Sequence, residues 1–365
     1  MTLHAGEWVE VKSKEEILRT LDKNGRLDEM PFMPEMFAYC GKRVPVYKRA
    51  HKSCDTINPI SSRTLANSVL LGNLRCNGAA HGGCQAQCSI FWREAWLKPV
   101  AREGVPASDE RTQDASAASC TEEDVQKATQ NGTTSDGKIC YRCQATDFPL
   151  YSSRLRLRQL PRQFLQDYTS GNVGLKELFQ TACYFLFRYV VRPKWEKNGG
   201  AGANLYDRFQ RLTGGLPYPR RHGTLTEQDE EPLSTLNLQP GDMVRVKSYE
   251  EILATINKSN KNRGLYFDAE MVPYCGGVYR VRSRVERFLD EKTGVMRYMK
   301  TPGVILEGGW CRSFYSERRA FCPRAIYAWW REAWLERAPE SSVPSTSCPR
   351  TRALLGVSAA EEVEL

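Results

Sequence analysis

The chain has 365 residues, of which 41% are hydrophobic and 26% are charged, a composition typical of a globular protein with two or three domains. No apolar run approaches the roughly 18 residues that a membrane-spanning helix needs, and the first residues lack the apolar stretch of a secretory signal. We therefore expect a cytoplasmic protein, in which thirteen cysteines favour metal binding or catalysis over disulfides. The net charge of +9 is uneven, because residues 138–221 hold 15 Lys or Arg and only 5 Asp or Glu.

The first predicted elements are a strand and a capped helix. Residues 8–11 (Trp-Val-Glu-Val) alternate between apolar and polar side chains in the manner of a strand. Ser13, followed by Glu16 three residues later, has the pattern of a capping box and predicts a short helix. Trp92 and Trp96 stand four residues apart, which predicts a last helix that carries both rings on one face.

The middle of the chain differs in composition from its ends. Residues 101–137 are polar, acidic and rich in small residues, which is typical of a disordered linker. Residues 138–224 form a basic central segment, in which 175–191 has the apolar spacing of a helix. Residues 225–240 predict a second, acidic linker, and 338–365, rich in serine and proline, predict a flexible tail.

The two ends of the chain repeat one sequence. Residues 6–55 align with the second copy without gaps at an offset of 235, and Cys76 meets Cys311 at the same offset. Three extra residues then enter the second copy, and residues 92–97 recur unchanged as 330–335. Chance does not produce this order at two constant offsets, so we predict a duplicated module. In the second copy, 278–289 is rich in β-formers and predicts a strand.

The second copy opens with residues 241–246 (Gly-Asp-Met-Val-Arg-Val), and several short predicted strands follow. A Gly-Asp-x-Val-x-Val start resembles the SH3-like small barrels, including the KOW type, and the resemblance implies a small β-barrel for each module. We therefore expect an α+β protein with two SH3-like barrel modules, over 1–100 and 241–337. Each module would carry a short helix and a C-terminal Trp-containing helix, and the basic, partly helical segment would separate them.

Cysteine and histidine concentrate in the first module. Zinc and iron–sulfur clusters are held by about four thiolate or imidazole ligands that converge from short segments. The run Cys76-x7-Cys84-x3-Cys88, with His81 inside it, supplies such ligands. A His-x2-Cys pair precedes the run, and a Cys-x2-Cys pair follows it. The candidate metal ligands are Cys54, Cys76, Cys84, Cys88, His51, His81, Cys140 and Cys143.

Comparison of the two copies sorts these candidates. Cys76 and Cys84, like Cys40, have cysteine counterparts in the second copy, so they are equally expected as buried core thiols. The residues that the second copy replaces are His51, Cys54, His81 and Cys88, for which it has Glu286, Leu289, Arg319 and Ile326. These four are the sharper metal candidates, because the scaffold tolerates other side chains at their positions.

Basic residues of the central segment are candidates for binding an anionic partner such as nucleic acid, although a solvated basic surface would have the same pattern. Three of them alternate as on a strand, and two lie in a basic loop. These residues are Arg154, Arg156, Arg158, Arg220 and Arg221.

Three functions stay open at this stage. The favoured one is a metal-binding accessory or interaction protein, with zinc or an iron–sulfur cluster in the first module and a protein or a polyanion as partner. The second is an enzyme that uses the cluster as a redox centre, or Cys84 or Cys88 as a nucleophile with His81 as base. The third is a nucleic-acid-binding protein that uses the central segment. The sequence has no Walker loop and no Gly-x-Ser-x-Gly motif, which disfavours nucleotide-driven and common hydrolytic chemistry.

Overall fold

Two units make up the fold of this protein, for which we use a computed structural model. The structure describes residues 2–58, 61–100, 120–191, 206–208, 210, 217–316 and 319–345. Unit 1 comprises Met1–Phe185, Arg287–Tyr298 and Arg312–Ile326, and unit 2 comprises Leu186–Glu286, Met299–Cys311 and Tyr327–Leu365. Two segments of the second sequence repeat therefore belong to unit 1.

Short strands alternate with short helices in the first half of the chain. In chain order they are β1 (Trp8–Val11), α1 (Lys14–Leu18), β2 (Arg26–Leu27), β3 (Met30–Pro31), β4 (Arg43–Arg49), β5 (Lys52–Cys54), β6 (Ser62–Thr64), β7 (Ser68–Arg75), β8 (Ser89–Arg93), β9 (Leu97–Pro99), α2 (Glu122–Lys127), β10 (Gln130–Thr133), β11 (Ile139–Tyr141), β12 (Ser153–Arg154), α3 (Leu160–Thr169) and α4 (Leu175–Leu186).

The second half of the chain has fewer and longer strands. They are, with one helix, β13 (Met243–Val246), α5 (Tyr249–Leu253), β14 (Lys261–Asn262), β15 (Leu265–Tyr266), β16 (Val278–Leu289), β17 (Met296–Trp310), β18 (Tyr327–Trp330) and β19 (Leu335–Arg337).

Each sequence repeat builds one five-stranded sheet with the same strand order. The orders are β8-β7-β4-β1-β9 in the first repeat and β18-β17-β16-β13-β19 in the second. In the first sheet, β1 pairs antiparallel with β9, and Val11 stands opposite Leu97. In the second sheet, β13 pairs in the same way with β19, and Val246 stands opposite Leu335.

The local predictions for β1 and α1 are confirmed. Val9 and Val11 point inward from β1 and are fully buried. The hydroxyl of Ser13 accepts a hydrogen bond from the backbone N–H of Glu16, and the Glu16 carboxylate accepts one from the N–H of Ser13. This capping box starts α1, which buries Ile17 against the sheet. The second repeat starts α5 with the same box.

Two tryptophans and one phenylalanine form the centre of each core. In the first repeat, Phe32 meets Trp92 and Trp96 edge-to-face, with ring centroids 6.2 and 5.2 Å apart. Both indole side chains are fully buried, and the corresponding rings of the second repeat are arranged alike. Buried aromatic pairs of this geometry add stabilisation beyond the apolar area they remove from water.

The predicted SH3-like barrel is wrong, because both sheets are open. A barrel closes only when its two edge strands pair with each other, and β8 and β9 remain separate edges among the described residues. The cause lies in the short connection between them. The chain leaves β8, makes one 3-10 turn over Glu94–Trp96, and enters β9, which runs along β1. The fold is therefore α+β with several open antiparallel sheets.

The predicted C-terminal Trp helix is also wrong. Trp92 lies in β8, where its cross-strand neighbour is Val69, and Trp96 ends the 3-10 turn. A strand followed by one turn brings two rings four residues apart into the same core. This arrangement therefore has the same four-residue spacing that a helix would give. Because no helix immediately precedes Trp92, Cys84 and Cys88 lie in irregular chain between a turn and β8.

Part of the central segment is helical. Of the predicted helix 175–191, α4 covers the first part, and a π-helical turn follows over Phe187–Val191. Residues 101–119 lie outside the described residues, whereas α2 and β10 occupy part of 120–137. Across the ranges that the structure describes, no helix has the length and apolar character needed to cross a bilayer.

Removing the cap of α1 should loosen this helix locally. We expect Ser13→Ala to cost about 1 kcal/mol and therefore to speed hydrogen exchange at the Ile17 amide about fivefold. The measurement is residue-resolved hydrogen–deuterium exchange. The α5 amides, capped by Ser248, serve as an internal control and should not change, and an unchanged α1 would contradict the expectation.

Candidate metal centre

A buried cavity of about 40 Å³ in unit 1 brings together five of the predicted ligands. Ser89 and Phe91 of β8 form one part of its wall, and Leu289, Glu291 and Arg324 of the second repeat form another. The ligand-type side chains that line it are Cys76, Cys84, Cys88, Cys143 and His81. We call this space the thiol cavity and the four thiols the cavity cysteines.

The run between Cys76 and Cys88 folds back on itself, which brings its thiols to one place. The N–H of Cys76 donates to the carbonyl of Cys88 at 2.9 Å. Between them, the N–H groups of His81 and Gly83 donate to the carbonyl of Gly78 at 3.0 and 2.9 Å. Gly78 has a φ of +72°, and a Cβ there would lie 2.0 Å from the carbonyl oxygen of Cys84. The tight turn therefore requires glycine at this position.

Cys143 reaches the cavity from a different part of the chain, just after β11. The hydroxyl of Thr146 accepts a hydrogen bond from its N–H at 2.9 Å. The buried amide of Gln144 accepts from the N–H of Phe91 at 2.8 Å and donates to its carbonyl at 2.9 Å. Gln144 thus pairs with β8 as a neighbouring strand would and fixes the Cys143 loop against it.

Three ligand groups at one end of the cavity, two buried and one half-buried, are close enough to share an ion. Ligand atoms of Glu35, Cys76 and His81 all lie within 4.8 Å of one another, so this group could hold a metal ion. The Nδ1 atom of His81 lies 2.8 Å from Oε1 of Glu35. The Cys76 thiol is 3.8 Å from the same oxygen, and the N–H of Ala80 donates to it at 3.1 Å.

Two atoms of this group lack the partners that burial demands. Within the described structure, Oε2 of Glu35 and Nε2 of His81 are buried and make no hydrogen bond. Leaving such atoms unsatisfied costs about 1–3 kcal/mol each. Because the Glu35 carboxylate accepts a hydrogen bond from Nδ1, the proton of the neutral imidazole is assigned to Nδ1. The lone pair is then on Nε2, as in many metal-bound histidines. For this reason, these residues fit as the ligands of a metal ion.

Burial raises the pKa of three cavity cysteines, Cys76, Cys88 and Cys143, and so keeps them protonated when no cation is present. It raises the pKa of Cys88 to about 12 and that of Cys143 to about 11. Burial also raises the pKa of Cys76, and Glu35 and the neighbouring thiols add to this shift. Thiolates therefore form here only where a positive charge compensates them. The raised pKa of Cys88 also opposes its proposed role as a nucleophile, since the thiolate is the reactive form.

Arg324 places a permanent positive charge in the cavity wall. Its side chain is 1% exposed, and the guanidinium donates to Thr56 at 3.0 Å and to Glu291 at 3.3 Å. Burial alone would lower the pKa of Arg324, but Glu291, Cys54 and Cys88 raise it, so the group stays charged. The same guanidinium charge lowers the pKa of Cys88 against the effect of burial.

The structure places the other predicted ligands elsewhere. Cys54 lies at the end of β5, where its N–H donates to the Cys322 sulfur. His51 is buried next to Asp167, with Nε2 3.1 Å from a carboxylate oxygen. Cys140 lies on β11 and is half-buried, but its side chain does not line the thiol cavity. The contrast between the two copies therefore does not identify a single site.

The basic candidates occupy two parts of the chain. Arg154 and Arg156 line a surface groove of about 380 Å³ in unit 1, and Arg158 is exposed nearby in sequence. In unit 2, Arg221 forms an ion pair with Asp207. Binding of a polyanion by these residues stays a prediction.

Sequence reasoning missed three charged residues of the site. Glu35 has an identical counterpart, Glu270, in the second copy, so the comparison of copies gave no reason to select it. Glu291 and Arg324 belong to the copy that lacks the cysteine run, and no local motif marks them. They reach the cavity only because their segments of the second repeat fold as part of unit 1.

The site thus combines four half-buried thiols, an imidazole, two carboxylates and a guanidinium. No protein-family model matches this sequence, and no curated protein matches it significantly, so the function has to be argued from these residues alone.

Proposed function

We propose that this chain is an iron–sulfur protein whose cluster is bound by the cavity cysteines. The observation that carries the proposal is that Cys76, Cys84 and Cys88, from one run, and Cys143, from a distant loop, line one cavity. Four cysteine thiolates are the usual ligands of both [2Fe–2S] and [4Fe–4S] clusters. The second repeat has isoleucine at the position of Cys88, which agrees with one centre per chain.

The spacing of the ligand atoms favours a cluster over a single zinc ion. Zinc ligands lie about 2.0–2.3 Å from the metal, so their donor atoms lie within roughly 4 Å of one another. Among the described residues, the one group of three or more ligand atoms within 4.8 Å is Glu35, Cys76 and His81. The remaining cavity cysteines face the same space from farther apart, as the ligands of a multi-iron cluster do.

The buried guanidinium supports the same proposal. Four thiolates give a bound cluster a net negative charge, which is costly to bury without a partner. Arg324 lies in the cavity wall, carries a positive charge and forms an ion pair with Glu291. When thiolates are also present, the guanidinium offsets part of their negative charge as well as that of Glu291.

Four cysteine ligands leave no open position on the cluster for a substrate. When bound, such a cluster supplies one-electron transfer and a cross-link between chain segments. The cavity residues bind it, and the cores around β8 exclude water from it. We therefore favour an electron-transfer or structural role in an accessory protein of a reducing compartment such as the cytoplasm.

Metal and sulfide analysis of protein purified without oxygen tests the proposal. We expect iron and acid-labile sulfide in similar amounts, a brown colour and a visible absorption that decreases on reduction with dithionite. Removal of the iron by a chelator and an oxidant should lower the melting temperature Tm, because ligand binding contributes folding energy. Colourless, iron-free protein with four reactive cavity thiols would contradict the proposal.

A single zinc ion at Glu35, Cys76 and His81 is the second candidate. The convergence of these three ligand atoms and the unsatisfied Nε2 of His81 favour it. In that case the protein is colourless and holds about one zinc per chain. Two variants separate the candidates: Glu35→Gln should release zinc only, whereas Cys143→Ser should release a cluster only.

A further inference from the structure

A second pair of thiols lies in unit 1 outside the thiol cavity. Cys54 ends β5, and Cys322 lies in the segment 312–326, 268 positions further along the chain. The N–H of Cys54 donates to the Cys322 sulfur at 3.0 Å, and the hydroxyl of Ser53 lies 4.0 Å from that sulfur. Both cysteines are reduced and buried. We call them the Cys54–Cys322 pair.

The surroundings of Cys322 stabilise its thiolate. Burial alone would raise the pKa of Cys322. Hydrogen bonds from the Cys54 thiol and from the N–H groups of Arg324 and Cys54, together with the Arg324 charge, outweigh burial and lower the pKa to about 6. Cys322 is therefore mostly ionised at neutral pH. The cavity cysteine Cys88 has its pKa shifted in the opposite direction.

Two further charged groups near the pair are Lys52 of β5 and Asp167 of α3. The ammonium of Lys52 donates to Oδ2 of Asp167 on α3 at 2.5 Å, and both side chains are buried. Burial lowers the pKa of Lys52, while Asp167 and the Cys322 thiolate act to raise it. His51 lies against the second oxygen of the same carboxylate. Lys52 thus adds positive charge on the β5 side of Cys322, balanced in part by Asp167.

We propose that Cys322 and Cys54 react with hydrogen peroxide and close to a disulfide. The Cys322 thiolate attacks one peroxide oxygen, the O–O bond breaks, and Cys322 sulfenic acid and hydroxide form. The Cys54 thiol then attacks the sulfenic sulfur, the S–S bond forms, and the sulfenic oxygen leaves with the Cys54 proton as water. The peroxide gains two electrons, and the two thiols lose them.

The burial of the pair limits the oxidant to a small molecule. Cys322 is 4% exposed and Cys54 is 7% exposed, so an oxidised peptide cannot approach either sulfur without local opening. Hydrogen peroxide is little larger than water and can reach such a position. The pair is already in contact through one hydrogen bond, which favours closure over further oxidation of the sulfenic acid.

The test treats the full-length protein with a small excess of hydrogen peroxide and maps its cysteines by mass spectrometry. We expect a Cys54–Cys322 disulfide to form before the exposed Cys183 is oxidised, and dithiothreitol to reverse it. The rate should fall below about pH 6 and stay level above pH 7, whereas an ordinary thiol becomes faster up to about pH 8.5. Oxidation that starts at another cysteine, or a rate that keeps rising to alkaline pH, would overturn the proposal.

Three variants separate reaction from structure, with circular dichroism as the check of folding. Cys54→Ser should accumulate Cys322 sulfenic acid, which dimedone captures, and form no disulfide. Cys322→Ser should leave Cys54 unoxidised under the same treatment, and Cys183→Ser should behave as the wild type. A folded Cys54→Ser protein that dimedone does not label at Cys322 would contradict the mechanism.

The proposal stands apart from the cluster, since neither member of the pair is a cavity cysteine. Repeating the peroxide experiment with Cys88→Ser keeps the two ideas distinguishable. Loss of iron from Cys88→Ser with normal pair oxidation would support both proposals and show that they are independent. Iron in the wild-type protein without pair oxidation would overturn only the peroxide reaction, and normal iron in Cys88→Ser with pair oxidation would overturn only the cluster proposal.

Discussion

Replacing Cys88 by serine is expected to release the metal and to lower the free energy of unfolding of unit 1 by at least about 3 kcal/mol. Cys88 is half-buried and lines the thiol cavity, and its counterpart in the second repeat is Ile326. The fold therefore does not demand a thiol there, whereas a metal centre does. Binding free energies of structural metal sites reach about 10 kcal/mol, so losing one ligand removes a large share of stability.

Metal analysis and urea unfolding of the purified variant measure both effects. Cys88→Ile is the matched variant, because isoleucine occupies the equivalent position, and it should lose the metal as fully as Cys88→Ser. Cys120→Ser is the control: Cys120 is 1% exposed but does not line the thiol cavity, so the metal should stay. Wild-type metal content in both Cys88 variants would show that Cys88 is a core residue and not a metal ligand.

Replacing Arg324 by methionine is expected to cost up to about 3 kcal/mol, because removing one partner of a fully buried ion pair costs about 3–5 kcal/mol and the Glu291 side chain is 24% exposed. Methionine fills a similar volume but leaves Glu291 and Thr56 without the donors that the guanidinium supplies. If the bound cluster is anionic, the variant should also retain less iron. Urea unfolding gives the first quantity, and iron analysis gives the second.

Arg297→Met is the matched control for this change. Arg297 pairs with Asp290 at 3.1 Å, but its side chain is 59% exposed, and such pairs contribute at most about 1 kcal/mol. Adding Glu291→Gln to Arg324→Met should recover part of the lost stability, because the stranded carboxylate is then neutral. Equal losses for Arg324→Met and Arg297→Met would show that the buried pair has no special weight.

Local chemistry determined the elements that the sequence predicted well. The alternation over 8–11, the capping box at Ser13 and the β-rich run 278–289 each depend on neighbouring residues, and the structure confirms all three. Barrel closure depends instead on which distant strands pair. The sequence does not encode that in any local pattern, and a single 3-10 turn was enough to direct β9 to β1.

The site could be predicted only in part for a similar reason. The run from Cys76 to Cys88 folds locally through Gly78, so its thiols converge as the spacing suggests. Cys54 was grouped with them by sequence, but its neighbour in space is Cys322, 268 positions away. Arg324 could not be found at all, because its importance comes from the cavity it completes and from no motif of its own.

The contribution of the second repeat to unit 1 has a consequence for synthesis of the protein. About 240 residues separate Cys88 from Ile326, the end of the last segment of unit 1. At roughly 5–20 residues per second, a ribosome needs on the order of 10–50 s to make them. For most of that interval Cys76, Cys84 and Cys88 are present without Glu291 and Arg324, and Cys143, 55 residues after Cys88, joins them early in it. If the cavity cysteines hold a metal centre, its insertion can therefore begin on the nascent chain, before the residues that complete the cavity wall have been translated.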